Sequence, residues 1–268
     1  MKTVSRSHFL ILFGFVASLT VVAALVLLLA GSAAAGPQAD SMAFLPYVTS
    51  PIVPVDFYET SFTDSIEPWK AVRWQNGTNY DVEHNSGGHL DVEVNTNETY
   101  VIVSPLIQGP QPPYEIDFRA RLNDRKDKAQ YGMVFGGDWH GAPCPGDNTT
   151  GCFNHYYEFR VRYRDVGGDK YLEYRLRRID GHDGNNVAQG EELVEWTRAE
   201  GVDVDGWVKW TVRYGSRGHI TFKANNSELS GSAEDKKYDD PLFFGVYAKA
   251  GEFGDTEARF DTFRIAAE

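Results

Sequence analysis

Residues 156–177 read YYEFRVRYRDVGGDKYLEYRLR. Tyr157, Phe159, Val161 and Tyr163 alternate with Glu158, Arg160, Arg162 and Arg164. Beyond Asp165-Val166-Gly167-Gly168-Asp169, Leu172, Tyr174 and Leu176 alternate with Glu173, Arg175 and Arg177. A strict period of two predicts strands with one buried and one wet face, and the glycine pair between them predicts a hairpin. The pattern repeats outward. Tyr114, Ile116, Phe118, Ala120 and Leu122 alternate with Glu115, Asp117, Arg119 and Arg121, and Val208, Trp210, Val212 and Tyr214 with Lys209, Thr211 and Arg213. Turns are expected at Asn85–Gly88, Asp180–Gly184 and Gly215–Gly218. No long stretch carries a helical period, and no fixed repeat suggests a propeller or solenoid. About a dozen strands are expected in residues 57–268, in one all-β, antiparallel, two-sheet β-sandwich.

The rest of the chain is different. Residues 1–35 carry Lys2 and Arg6 and then 22 uncharged residues, 9–30, long enough as a helix to cross a bilayer. Ala33-x-Ala35 fits a signal-peptidase site, so a cleaved signal peptide and an uncleaved signal anchor both remain open. Either places the remainder outside the cytoplasm, secreted or held at the membrane by residues 9–30. Pro37, Pro46, Pro51 and Pro54 make residues 36–56 an extended linker. The chain has 26 basic and 38 acidic residues, a net charge of −12, which argues against nucleic acid as a partner. Within that acidic background, residues 155–180 hold seven basic side chains and five acidic ones.

The order of segments resembles the concanavalin A-like lectin/glucanase superfamily, in its laminin G-like and keto-disaccharide-hydrolase-like bacterial branches. The resemblance rests on Tyr58–Asp64 with Trp69 as a first strand and turn, and on Tyr131–Phe135 as a central strand. It continues with the aromatic Tyr156–Phe159, the hairpin Trp207–Asn226, and Gly245–Ala248 and Phe260–Ile265 as closing strands. It implies a jelly roll. The glucanases of that group carry an E-x-D-x-x-E strand, in which two carboxylates serve as nucleophile and acid. Glu115 and Asp117 match its first two positions, but Ala120 stands where the second glutamate belongs, which argues against that active site. A pair drawn from separate strands, such as Glu158 with Glu173, is the enzymatic alternative.

The hairpin offers the strongest candidate surface. Tyr156, Glu158, Arg160, Arg162, Tyr171, Glu173, Arg175 and Arg177 fall on one face. Rings that pack on pyranoses beside guanidinium forks suit a glycan, and the local arginine excess favours an anionic one. The competing reading is a solvated face of cross-strand ion pairs. Trp139 and His140 open the neighbouring loop and are secondary candidates, although Trp139 better suits a ring folded back over the sandwich edge. Cys144 and Cys152 are expected to form a disulfide, with a zinc site from His140, Cys144, Cys152 and His155 as the rival. No cofactor is expected. The resemblance implies a possible structural calcium near Asp261, for which the sequence shows no partner set. Asn76, Asn97, Asn148 and Asn225 are glycosylation sequons. The expectation is an exported, non-catalytic carbohydrate-binding or cell-surface domain, with a glycoside hydrolase or a structural adhesion protein as alternatives.

Overall fold

The computed structural model describes residues 53–140, 152–240, 242–252 and 254–268. Residues 1–35, expected to direct export, most of residues 36–56, Cys144 and Asn148 lie outside the described residues, as do the side chains of His140 and Cys152. The disulfide and its zinc rival therefore lie outside them too.

The described residues form strands and no helix. In chain order the strands are β1 Phe57–Thr60, β2 Lys70–Trp74, β3 Tyr80–Asn85, β4 His89–Val94, β5 Tyr100–Ser104 and β6 Tyr114–Leu122. Then come β7 Gln130–Gly137, β8 Trp139–His140, β9 Cys152–Phe153, β10 Tyr156–Val166, β11 Asp169–His182 and β12 Ala188–Arg198. The last are β13 Val208–Tyr214, β14 His219–Ala224, β15 Ser227–Glu234, β16 Phe243–Lys249 and β17 Thr256–Ala267. One sheet has the order β15-β14-β13-β6-β17-β4-β3, with β1 added along β17. The other has the order β12-β11-β10-β7-β16-β5-β2, and β8 and β9 form a separate small ribbon. All pairings are antiparallel, and strands distant in sequence lie side by side, as in a jelly roll.

The strands outnumber the dozen expected in part because the two-residue β8 and β9 are too short to show alternation. The Gly167-Gly168 and Gly215–Gly218 turns close β10–β11 and β13–β14 as expected. Asn225 and Asn226 close β14–β15 with φ of 48° and 67°, a left-handed pair that asparagine tolerates and a two-residue hairpin needs. One turn is displaced. Asp180–His182 continue β11, and the chain reverses instead at Asp183, whose Oδ1 accepts from the backbone of Asn185 and Val187.

The inward rows meet in one aromatic-rich core. Trp210 is fully buried, donates its indole N–H to the Tyr131 hydroxyl at 3.1 Å and packs 5.7 Å from Phe159. Phe159 in turn stacks on Phe222 at 5.1 Å, which joins the two sheets. Ala120 lies in this core with Ile116 and Phe118, as the alternation requires. Glu115 and Asp117 therefore point away from the core, on the sheet opposite the arginine-rich hairpin. Asp117 accepts from Thr211 at 2.5 Å and pairs with Lys209 and Arg264.

Candidate functional site

The outer face of the seven-stranded sheet is laid out by cross-strand register. One row runs Glu173, Arg162, Gln130, Lys249, Tyr100, from β11 to β5. The next runs Arg175, Arg160, Gly132, Tyr247, Ile102. A third holds Arg177, Glu158, Val134 and Gly245, with Glu192 of β12 opposite Arg177. The two hairpin strands thus share one face as the alternation requires, and β7 and β16 extend it.

Its centre is drier than a solvated sheet surface. Glu158 is 0% exposed and Arg160 4%. Glu158 accepts from Arg160 at 2.5 Å and from Arg177 at 3.1 Å. Gly132 has no side chain to stand between Arg160 and Tyr247, and the guanidinium crosses to 4.3 Å from the Tyr247 ring. A Cβ at Gly132 would fall 2.1 Å from the Phe159 carbonyl oxygen, so only glycine fits. Neither sequence reading anticipated this. Arg160 and Glu158 form a buried ion pair at the centre of the face.

The half of the face toward β2 is roofed over. Tyr156, Tyr100, Ile102, Val134, Phe153, Ile179, Phe243 and Tyr247 form a second apolar cluster outside the sheet. Trp139 packs edge-on to Phe153 at 5.8 Å and near Phe243 at 6.5 Å, so its ring folds back onto the sandwich. Buried Arg73 donates to the Phe153 carbonyl at 2.5 Å and to Asn186 at 3.0 Å, while the Tyr100 hydroxyl donates to the Asn186 carbonyl at 2.7 Å. Tyr156 is 0% exposed and offers no ring to a sugar, which corrects its placement on the open platform.

His182 belongs to this roofed half. Its Nε2 lies 3.0 Å from the Tyr156 hydroxyl, and burial, reinforced by Arg73, pulls it down to about 2. A depressed histidine stays neutral in the fold while the unfolded chain protonates below about 6.5. Its contribution to stability is therefore complete above pH 6.5 and is lost progressively toward pH 2. Urea titrations at pH 7 and pH 4.5 should show a loss for the wild type that is smaller in His182→Gln. An equal loss in both would show that His182 does not set it.

The other half is open and polar. Trp196, on edge strand β12, reaches inward across β11. Its ring lies 4.0 Å from the Arg162 guanidinium carbon and 4.4 Å from that of Arg175, and it remains half-exposed. Arg198 covers the half-buried Tyr171 at 4.2 Å. Arg162 donates its Nε–H to Glu173, which also lies 3.6 Å from Arg164, and Arg175 reaches Glu192 at 3.3 Å. Beside this group lies a cavity of about 200 Å³ lined by Glu98, Lys128, Gln130, Arg162, Lys249 and Glu252.

Trp196, Gln130 and Lys249 escape a reading by periodicity. Three residues of β12, 195–197, fill two steps of β11 at a register shift between Tyr174/Thr197 and Leu176/Val194, so period two misplaces Trp196. Gln130 and Lys249 sit at strand ends among apolar neighbours. Only the order of strands brings them beside Arg162.

The enzymatic pair named from the sequence is not brought together. Glu158 and Glu173 lie four residues apart along the hairpin, about 13 Å at ~3.3 Å per residue, beyond the ~5–9.5 Å that glycoside hydrolysis uses. Each is also held by two arginines. Asp261, the calcium candidate, accepts from Arg119 at 2.7 Å and lies 3.4 Å from His89. Among the described residues no cluster of three or more histidine, cysteine or acidic side chains is placed to hold a metal. Asn76, Asn97 and Asn225 are exposed.

No family model matches this chain, and no curated protein matches it in sequence. Solved structures do match. The legume lectin-like domain from Entamoeba histolytica superposes with a TM-score of 0.51 at 14% identity, covering 75% of this chain and 90% of that one. The metal-free exoplasmic/lumenal domain of VIP36 superposes with a TM-score of 0.50 at 11% identity, covering 80% and 92%. With the two-sheet topology, these likenesses show that the fold is a concanavalin A-like jelly roll.

Proposed function

We propose that this protein is an exported, non-catalytic carbohydrate-binding domain whose binding surface is the open half of the seven-stranded sheet's outer face. One observation carries the reading: a half-exposed tryptophan, guanidinium groups and a polar cleft converge on one patch of an otherwise acidic protein. An aromatic ring packs on the apolar face of a pyranose, while guanidinium and amide groups bond its hydroxyls. The likeness to a legume lectin-like domain supports the same reading at the level of fold. The uncharged segment 9–30 and the exposed sequons support export.

The full-length protein is expected to be retained on a glycan array and to release no reducing sugar from the glycans it binds. Trp196→Ala should weaken retention by about 10- to 30-fold, the range of an aromatic hot spot, with the melting temperature little changed. Alanine at Arg160 is a poor probe of binding, because it disrupts the buried pair with Glu158. Release of reducing sugar would establish the hydrolase instead. Absence of any glycan binding, with a protein partner captured from the cell envelope, would favour the adhesion role.

A further inference from the structure

The cavity beside Lys249 has a composition that hydroxyl recognition alone does not require. Its floor is the row Arg162, Gln130, Lys249 on three adjacent strands, about 4.8 Å apart. Lys249 is half-buried, and its side chain makes no hydrogen bond or ion pair among the described residues. Gln130 accepts from Arg160 at 3.5 Å through Oε1, which leaves its amide N–H groups for a ligand. Arg162 spends its Nε–H on Glu173 and keeps its terminal N–H groups. Two further buried nitrogens on the same face, Nε of Arg160 and Nε of Arg175, are without acceptors. The floor therefore presents more free donors than acceptors.

The charges agree with this. Arg160, Arg162, Arg175, Arg177 and Lys249 face Glu158, Glu173 and Glu192 across the three rows. At the cavity wall Glu252 is taken by Lys128, and Glu98 stands at the exposed rim. Burial and the neighbouring Arg160 pull Lys249 down to about 8, and the same two causes pull Arg175 down to about 10. A negative group entering the cavity relieves that crowding and satisfies the donors together.

We infer that this cavity is a subsite for one anionic group of a bound glycan, a carboxylate or a sulfate ester, held by Lys249, Arg162 and Gln130. The inference rests on the glycan-binding reading and names its substrate class as acidic polysaccharide. An ion pair of this kind needs the ammonium form, so affinity falls as pH rises through the range where Lys249 loses its proton. Glu98, Glu158, Glu252, Lys128, Arg160, Arg162 and Arg175 are the charged groups around it.

The test uses full-length protein at fixed ionic strength with three probes: an oligogalacturonate, a heparin oligosaccharide and a neutral cello-oligosaccharide. At least one acidic probe is expected to bind more tightly than the neutral one. Lys249→Met should weaken that binding by about 10- to 100-fold, the range of a charge-assisted hydrogen bond. Between pH 7 and pH 9.5 the wild type should lose affinity while Lys249→Arg, which stays charged, loses less. Unchanged acidic-probe binding in Lys249→Met, or equal pH dependence in wild type and Lys249→Arg, overturns the subsite. So does inorganic sulfate that competes as well as the heparin oligosaccharide, because the cavity would then serve a free anion. Binding of the neutral probe with no preference for the acidic ones overturns the subsite and keeps the glycan reading. Binding of no probe on this face, with the melting temperature intact, overturns both.

Discussion

Trp210→Ala is expected to cost about 3–5 kcal/mol in urea unfolding, the range for deleting a large buried aromatic. For a domain of this size that corresponds to a drop in melting temperature on the order of 10 °C. The reasons are local and additive. The indole is fully buried between the sheets, and its removal leaves a cavity lined by Phe159 and Tyr131. It also strands the buried Tyr131 hydroxyl, which accepts the indole N–H at 3.1 Å. Trp210→Phe keeps most of the ring volume and should cost clearly less. Equal losses for alanine and phenylalanine would show that the hydrogen bond, and not the packing, carries the effect.

Arg160→Met is expected to destabilise by about 3–5 kcal/mol, the penalty for leaving a buried charge without its partner. Glu158 is 0% exposed and would keep only Arg177 at 3.1 Å. The Tyr247 ring would lose the cation that lies 4.3 Å from it. Removing the stranded charge as well, in Glu158→Leu/Arg160→Met, should recover part of the loss, because two apolar side chains need no pairing. Arg213→Ala gives the contrast. Arg213 pairs with Glu268 at 2.6 Å but is exposed, and its loss should leave the unfolding midpoint almost unchanged. A double variant less stable than Arg160→Met alone would show that Arg160 acts through packing and not through charge.

The contrast between these two arginines shows where the sequence stops being legible. Both stand at outward positions of alternating strands flanked by apolar residues, and both have an acidic partner. Nothing in the period-two pattern separates them. The difference comes from what lies across the face: Tyr247 and Gly132 on neighbouring strands enclose Arg160, while Arg213, between Glu115 and Thr221, stays exposed. Tyr156 was misplaced for the same reason. Its alternation is correct, but Phe153 and Trp139 come from a segment that shows no alternation and close over that part of the sheet. The candidate face itself was legible, since Arg162, Tyr171, Glu173, Arg175 and Arg177 do share it. Its tryptophan and its lysine were not.

The sequence by itself determined the fold class, the inward rows that make the core, the main hairpins and the face on which the arginines stand. Period-two alternation and turn chemistry are local, so a single strand contains the information. The tertiary structure alone decided which outward residues are dry, which are open, and which strands share a sheet edge to edge. That information is non-local. It depends on β7 and β16 lying beside β10, on a bulge that turns Trp196 inward, and on Trp139 and Phe153 packing over part of the face. Burial of a charge is settled by neighbours distant in the chain, and so the same arginine-rich hairpin yields both a structural pair at Glu158–Arg160 and an open cleft at Arg162 and Lys249.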